Sequence, residues 1–304
     1  MSLPSYPRVL TLGAMGTEQA LTGRVVVQEK VDGSMFRFGI INGEFVMGSH
    51  RAMIEPSAPE KMFSKAVETA QRIKPLIEKA DNLVFYCEYL QKPKHNTLAY
   101  ETTPEGHLVL FDVLSENVWQ SKAICETWAE VLHIDMIPCL HIGEITLDGL
   151  QELLTTPSYL GKETIEGVVI KNYQQTWAHG GRIVPLFTKL VRPEFKERHA
   201  KDWKGRSRKS SLEDFIESFC AEARWVKAVQ HLGEAGQLQH APQDIGPLIQ
   251  EIAADIEVED GDEIKETLYK LFLPQILRAA RKGFPEWYKA RLADWLRLED
   301  VNDE

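Results

Sequence analysis

The segment Gln28-Glu29-Lys30-Val31-Asp32-Gly33-Ser34 sets a lysine at the end of an apolar strand pattern, two residues before an Asp-Gly pair. A lysine held there can lose part of its hydration. Desolvation favours the neutral amine, which is the nucleophile. An ordinary lysine, pKa about 10.4, is only about 0.1% neutral near pH 7, so such a site also needs cationic neighbours. The glycine permits a tight turn or close approach of a ligand to the backbone. On their own these letters describe a surface lysine before a turn more readily than a nucleophile. Glu88 raises a second question. It lies between Phe85-Tyr86-Cys87 and Tyr89-Leu90, and a carboxylate in an apolar strand is costly unless it has a partner.

Several strands are needed to position these groups. Val25-Val26-Val27 is a β-branched run within 24–30. Residues 35–41 and 44–47 alternate around Asn42-Gly43, a strong hairpin signal. Further strands are expected over 82–90, 107–113, 164–172 and 184–191. Helices are expected over 59–79, where Met62, Ala66, Ala70 and Ile73 are apolar near a 3.6 period, and over 123–132. Beyond residue 210 only helical patterns recur. Ser210 and Glu213 form a capping-box pattern, and helices are expected to about 219 and over 221–232, 243–256, 262–273 and 285–296. The acid-rich stretch 251–266 is read as a solvated junction between helices. The expected organisation is an α+β domain over 1–205, with antiparallel strands and interspersed helices, followed by a small all-α domain over 206–304.

Composition narrows the function classes. The chain has 304 residues and a net charge of −10, which argues against a surface coated uniformly for nucleic acid. The charge is uneven. Nine Lys and Arg against three acids lie between Lys189 and Lys209, so this window is +6 and the remainder is −16. That is the footprint of a local polyanion contact, or of a solvated linker. No apolar run approaches the roughly 18 residues of a membrane span, and Met1 to Leu10 lacks the pattern of a secretory signal. The four cysteines form no CxxC pair, excluding a disulfide scaffold or zinc ribbon as the organising feature. They read as reduced thiols of a cytoplasmic protein.

The order of the chemistry-bearing segments says more than any one of them. After Lys30-Val31-Asp32-Gly33 come Ser49-His50-Arg51, Phe85-Tyr86-Cys87-Glu88-Tyr89 and Leu110-Phe111-Asp112-Val113. Glu166-Gly167-Val168-Val169-Ile170-Lys171 and Leu186-Phe187-Thr188-Lys189-Leu190 follow. This series resembles the covalent nucleotidyltransferase superfamily of DNA ligases, RNA ligases and capping enzymes, from residue 30 to about 197. With a helical segment in place of an OB-fold, and with Arg192-Pro193-Glu194-Phe195-Lys196-Glu197 after the last motif, it looks most like the RNA-ligase branch that seals nicked duplex RNA. Two positions depart from that branch: Met35 stands where Asn is usual, and Val191 where a second basic residue is usual. Asp32 is closer to the DNA-ligase pattern.

The resemblance implies an ATP-grasp-like, antiparallel-sheet nucleotidyltransferase domain and assigns roles by motif position. Lys30 attacks the α-phosphate of ATP and carries AMP. Lys171, Lys189 and Mg²⁺ lower its pKa and neutralise the phosphates. Glu88 accepts from the ribose hydroxyls, Phe111 stacks on adenine, and Arg51 contacts AMP or phosphate. Glu166 holds the metal or orients Lys30, and the Glu29 backbone reads the adenine amino group. The plainer readings are a buried strand residue for Phe111 and a turn carboxylate for Glu166. His95 and Asn96 lie in a polar loop that reads as a turn, with a nucleic-acid contact as the alternative. The implied partner is RNA, with a monomeric protein, no membrane and ATP with Mg²⁺ as cofactors. The alternatives are a DNA ligase, a capping guanylyltransferase and a non-catalytic nucleic-acid-binding protein on the same fold.

The basic window supplies a direct test. Neutralising Lys201, Lys204, Arg206 and Arg208 together should flatten the salt dependence of nucleic-acid binding. The log–log slope should fall by about 0.7 to 0.9 per lost phosphate contact, about three units in all. An unchanged slope in a folded variant would make the window a linker.

Overall fold

A computed structural model describes residues 3–14, 16–50, 52–57, 61–179, 182–192 and 208–300. Arg51 and residues 193–207, which hold most of the element over 192–197 and most of the basic window, lie outside them. Two sheets form the α+β part. One contains, in spatial order, β1 (Leu10–Thr11), β11 (Arg182–Val191), β10 (Gly167–His179), β2 (Val25–Lys30) and β9 (Cys139–Gly143). The other contains β4 (Glu44–Ser49), β3 (Ser34–Ile41), β5 (Leu83–Tyr89), β6 (Leu108–Ser115) and β7 (Val118–Trp119), with β8 (Asp135–Met136) also on β6. The pairs β1–β11 and β6–β8 are parallel, and the other strand pairs are antiparallel.

The second sheet is buried on both faces, which is why β5 and β6 read as near-continuous apolar runs. Phe36, Phe38, Phe85, Cys87, Leu108 and Leu110 pack on one face against α1 (Ser64–Ile77) and α2 (Lys122–Leu132). Helix α1 contributes Ala66, Ala70, Ile73 and Ile77, a stripe at helical spacing. Val84, Tyr86, Val109 and Phe111 face the other way. The first sheet packs Val25, Val27, Val168 and Ile170 with Leu150 of α3 (Leu147–Leu153). The hairpin expected at Asn42-Gly43 forms, with both residues at positive φ (51° and 76°) and Ile41 paired with Glu44. Strand β9 and helix α3 are not anticipated by the sequence. Both are short, and β9 is an edge strand with weak alternation.

The strands end at Val191, and the described elements after it are helices: α4 (Arg208–Glu217), α5 (Glu222–Glu234), α6 (Ile245–Arg281) and α7 (Phe284–Asp300). By compactness the chain divides into Met1–Ala241 and Pro242–Glu304, so α4 and α5 belong to the unit that holds the sheets. Two helical expectations need correction. Helix α4 starts at Arg208, which places Ser210 inside it and not at its cap; Arg208 and Lys209 are good helix formers that extend it upstream. The helices expected over 243–256 and 262–273 are one continuous α6 of 37 residues, so the acidic stretch is helix interior. A single Gly261 costs only about 1 kcal/mol against Ala, and Lys270 pairs with Glu266 one turn away at 2.6 Å. Among the described residues no helix is long and apolar enough to cross a membrane.

The crossing between the sheets is the shortest critical link. Strand β2 ends at Lys30 in one sheet, and β3 begins at Ser34 in the other. Gly33 lies against β5: a Cβ there would sit 2.7 Å from the Tyr89 carbonyl oxygen and 2.8 Å from Glu88 Cγ. Gly33→Ala should therefore push the turn off β5 and cost about 1–3 kcal/mol. A chemical denaturation midpoint equal to that of the parent protein would contradict this packing.

Candidate active site

The site grows from strand register. In the β2–β10 ladder Lys30 lies opposite Gly167, so Glu166 arrives beside the lysine although the two are 136 residues apart in sequence. Lys30 Nζ donates to Glu166 Oε2 at 2.7 Å, and the glutamate side chain is only 9% exposed. Glu88 comes from the neighbouring sheet, opposite Met35 in the β3–β5 ladder, and accepts from the Gly33 backbone N–H. Lys189 of β11, opposite Val169, acts electrostatically on Glu166. Lys30, Glu88, Glu166 and Lys189 are thus brought together, with Asp32 beside them.

The electrostatics of this cluster are dominated by acids. Burial favours the neutral amine of Lys30. Glu166 outweighs it together with Glu88, the Glu166 hydrogen bond and Asp32, and the lysine pKa lies above its ordinary value. The expected depression by cationic neighbours is absent in this state because the nearest charges are carboxylates. Burial pushes Glu88 up to about 8; Lys30 opposes this, Glu166 and Asp32 add to it, and the Gly33 N–H opposes it again. Glu166 is likewise raised by burial, against the pull of Lys30. Glu88 is therefore largely protonated near neutral pH and able to donate a hydrogen bond. Among the described residues no three His, Cys, Asp or Glu side chains converge on a metal-sized point. The donor set fits a divalent cation only as a shared ligand, with Glu166 supplying one carboxylate and nucleotide phosphates the rest, the usual arrangement for Mg²⁺.

Lys171 lies elsewhere. In the ladder it is opposite Val26, four residues from Lys30, or about 13 Å along the strand at ~3.3 Å per residue. It is buried and donates to Asp112 Oδ2 at 2.6 Å and to the Phe111 carbonyl at 2.7 Å. Tyr6 and Tyr173 also donate to Asp112, at 2.5 Å and 3.1 Å. The pair joins β10 of one sheet to β6 of the other. Phe111 is 8% exposed; its ring meets Tyr6 edge-on at 5.0 Å and the Lys171 ammonium at 5.4 Å. The Glu29 side chain and N–H are committed as well. Its carboxylate accepts from Ser158 Oγ and the Tyr159 N–H, and its own N–H donates to the Pro138 carbonyl.

Sequence reasoning gives no structural role to several contributors. Asp112 could have been flagged as Glu88 was, as a carboxylate in an apolar strand. Arg192 is two residues past Leu190, next to the missing basic position. Its Nε and Nη2 donate to the carbonyls of Ile165 and Thr164, and its N–H to that of Glu166, fixing the backbone that carries Glu166. Asp32 accepts from the Thr97 and Leu98 N–H groups. No local pattern announces these partners.

A lysine–glutamate pair thus stands where the two sheets meet. A family model described as RNA ligase matches residues 23–187, more than half of the chain, and the protein belongs to the RNA ligase family. No curated protein matches it. Among solved structures, a Naegleria gruberi RNA ligase with PPi aligns with a TM-score of 0.46 and 14% identity, over 62% of this chain and 56% of that one. A mutant of that ligase with AMP and Mn gives the same figures. A putative ATP-dependent DNA ligase from Aquifex aeolicus aligns with a TM-score of 0.44 and 16% identity, over 86% and 66%. The chain thus spans little more than half the length of the Naegleria structures.

The buried pair yields a stability test. Asp112→Asn leaves Lys171 charged without its counterion and should cost about 3–5 kcal/mol. Equilibrium denaturation would read this as a lower midpoint, and an unchanged midpoint would deny Lys171–Asp112 its role in joining the sheets.

Proposed function

We propose that the protein is an ATP-dependent RNA ligase that joins 5′-phosphate to 3′-hydroxyl ends, with Lys30 as its nucleophile. The observation that carries this reading is Lys30 at a strand end, hydrogen-bonded to Glu166 at 2.7 Å and flanked by Glu88. Lys30 Nζ forms a bond to the α-phosphorus of ATP as the bond to the bridging oxygen breaks and pyrophosphate leaves. The amine must lose a proton, and Glu166 Oε2, already its hydrogen-bond acceptor, is at hand to take it. AMP then passes to a terminal 5′-phosphate, and attack by the 3′-hydroxyl releases it. A 5′-hydroxyl cannot form that pyrophosphate link.

Lys189 and Glu166 are the groups on the phosphate side, with Glu166 next to Lys30 and Lys189 one strand further on. Glu88, largely neutral near pH 7, suits the ribose hydroxyls as donor or acceptor. Phe111 is only 8% exposed, with the Lys171 ammonium over its ring, so little of it is open to stack on adenine. Arg51 remains the proposed AMP or phosphate contact. A divalent cation bound with the phosphates supplies charge neutralisation, and Mg²⁺ is the proposed ion. Nicked duplex RNA is the proposed substrate and a monomer the proposed state. Asp32 in Lys-Val-Asp-Gly favours a second reading, a DNA ligase.

Incubation with α-labelled ATP followed by a denaturing gel should label the wild-type protein and leave Lys30→Ala unlabelled. Lys30→Arg should also fail, because guanidinium stays protonated. With its pKa held above the ordinary value by carboxylates, Lys30 is almost wholly protonated at neutral pH. The single-turnover labelling rate should therefore climb with pH, approaching tenfold per unit. In Glu166→Gln the rate should be lower and its alkaline limb should move to lower pH. Matched nicked duplexes differing only in 2′-hydroxyls at the 3′-OH end separate the RNA and DNA readings.

A further inference from the structure

The three residues after Val31 are all held by one irregular segment, Gln91–Tyr100. Asp32 Oδ2 accepts from the N–H groups of Thr97 at 2.7 Å and Leu98 at 2.8 Å, and the Asp32 N–H donates to Tyr100 Oη at 2.8 Å. Asn96 Nδ2 donates to the Gly33 carbonyl at 2.6 Å. His95 Nε2 lies 3.0 Å from Ser34 Oγ, while its Nδ1 accepts from the Gln91 N–H at 2.9 Å. A neutral imidazole that accepts at Nδ1 carries its proton on Nε2, so His95 donates to Ser34. Its ring is 1% exposed, and burial, reinforced by Lys92 and His231, pulls its pKa down to about 4. The ring therefore stays neutral, in one tautomer, throughout the neutral range.

This clasp is not closed on itself. Gln230 of α5 donates through Nε2 to the His95 carbonyl. The Lys30 turn, the segment that grips it and a helix beyond the last strand therefore form one hydrogen-bonded chain. A lysine that must approach phosphorus in line tolerates little displacement: a shift of about 1 Å can cost about a hundredfold in rate. The turn has no ladder partner of its own between β2 and β3, so its position is set by what grips it.

We propose that the segment Gln91–Tyr100 positions the Lys30 turn, with His95 and Asn96 as positioning residues, and that α5 acts on the first chemical step through Gln230. The proposal rests on the reading of Lys30 as the nucleophile. It departs from a division of labour in which the helices after the sheets serve only sealing.

The test uses the full chain and single-turnover labelling with α-labelled ATP. Asn96→Ala and Gln230→Ala alter residues that are only partly buried and should fold. Each should lower the rate at saturating ATP by about tenfold or more, with little change in half-saturating ATP or thermal midpoint. His95→Gln can keep the donor to Ser34, whereas His95→Asn can keep only the acceptor for Gln91, so Gln should retain more of the rate. Wild-type rates in Asn96→Ala and Gln230→Ala, or equal rates in the two His95 variants, would overturn the proposal. If the His95 variants do not fold, the Asn96 and Gln230 variants decide it. An unlabelled wild-type protein, or a labelled Lys30→Ala, would instead sink the nucleophile assignment.

Discussion

Everything in the site depends on how the chain crosses from one sheet to the other in three residues. Strand β2 stops at Lys30 and β3 starts at Ser34, with Val31, Asp32 and Gly33 between. So short a link cannot be slack. It passes against β5, where only a glycine fits beside the Tyr89 carbonyl. It turns around Asp32, whose carboxylate satisfies the N–H groups of Thr97 and Leu98, the latter of which would otherwise be buried without a partner. The lysine is thus delivered to the seam between the sheets, where Glu166 reaches it from one side and Glu88 from the other.

A second tie crosses the same seam. Lys171 and Asp112, both nearly inaccessible, join β10 to β6, and Tyr6 and Tyr173 complete the carboxylate's hydrogen bonds. A buried ion pair of this kind gives little net stability over a well-packed apolar pair, since desolvation consumes most of the Coulomb gain. What it does is discriminate: any slip of one sheet on the other strands a charge in the interior. The N-terminal segment takes part in the same tie. Tyr86 Oη and the Arg37 guanidinium donate to the carbonyl of Pro4, and the guanidinium also donates to that of Leu3. Tyr6 lies among Phe111, Tyr86, Trp119 and Phe187.

The charge pattern of the site follows from these placements. Carboxylates outnumber cations around Lys30, so burial and mutual repulsion raise Glu88 and Glu166 while the lysine is held charged. Such a cluster is poorly suited to a bare polyphosphate and well suited to one that brings a divalent cation. Lys171 and Phe111 do not stand open beside Lys30 because each is already engaged in joining the sheets.

Local pattern determined much of this protein. The β-branched and alternating runs located β2 to β6, β10 and β11. Asn42-Gly43 marked a hairpin, and the spacing from Lys30 to Lys189 carried the resemblance to nucleotidyltransferases. These features are legible because side-chain periodicity and turn chemistry act within a few residues. Tertiary structure alone decided that β2 and β3, neighbours in sequence, lie in different sheets. It decided that register sets Gly167 opposite Lys30 and Val26 opposite Lys171, separating two lysines that the motifs would group. It also decided that a loop with no pattern of its own, His95 and Asn96 within it, grips the Lys30 turn. A strand's sequence specifies which face is buried, but its ladder partner is chosen by packing across more than a hundred residues, and that choice leaves no local trace.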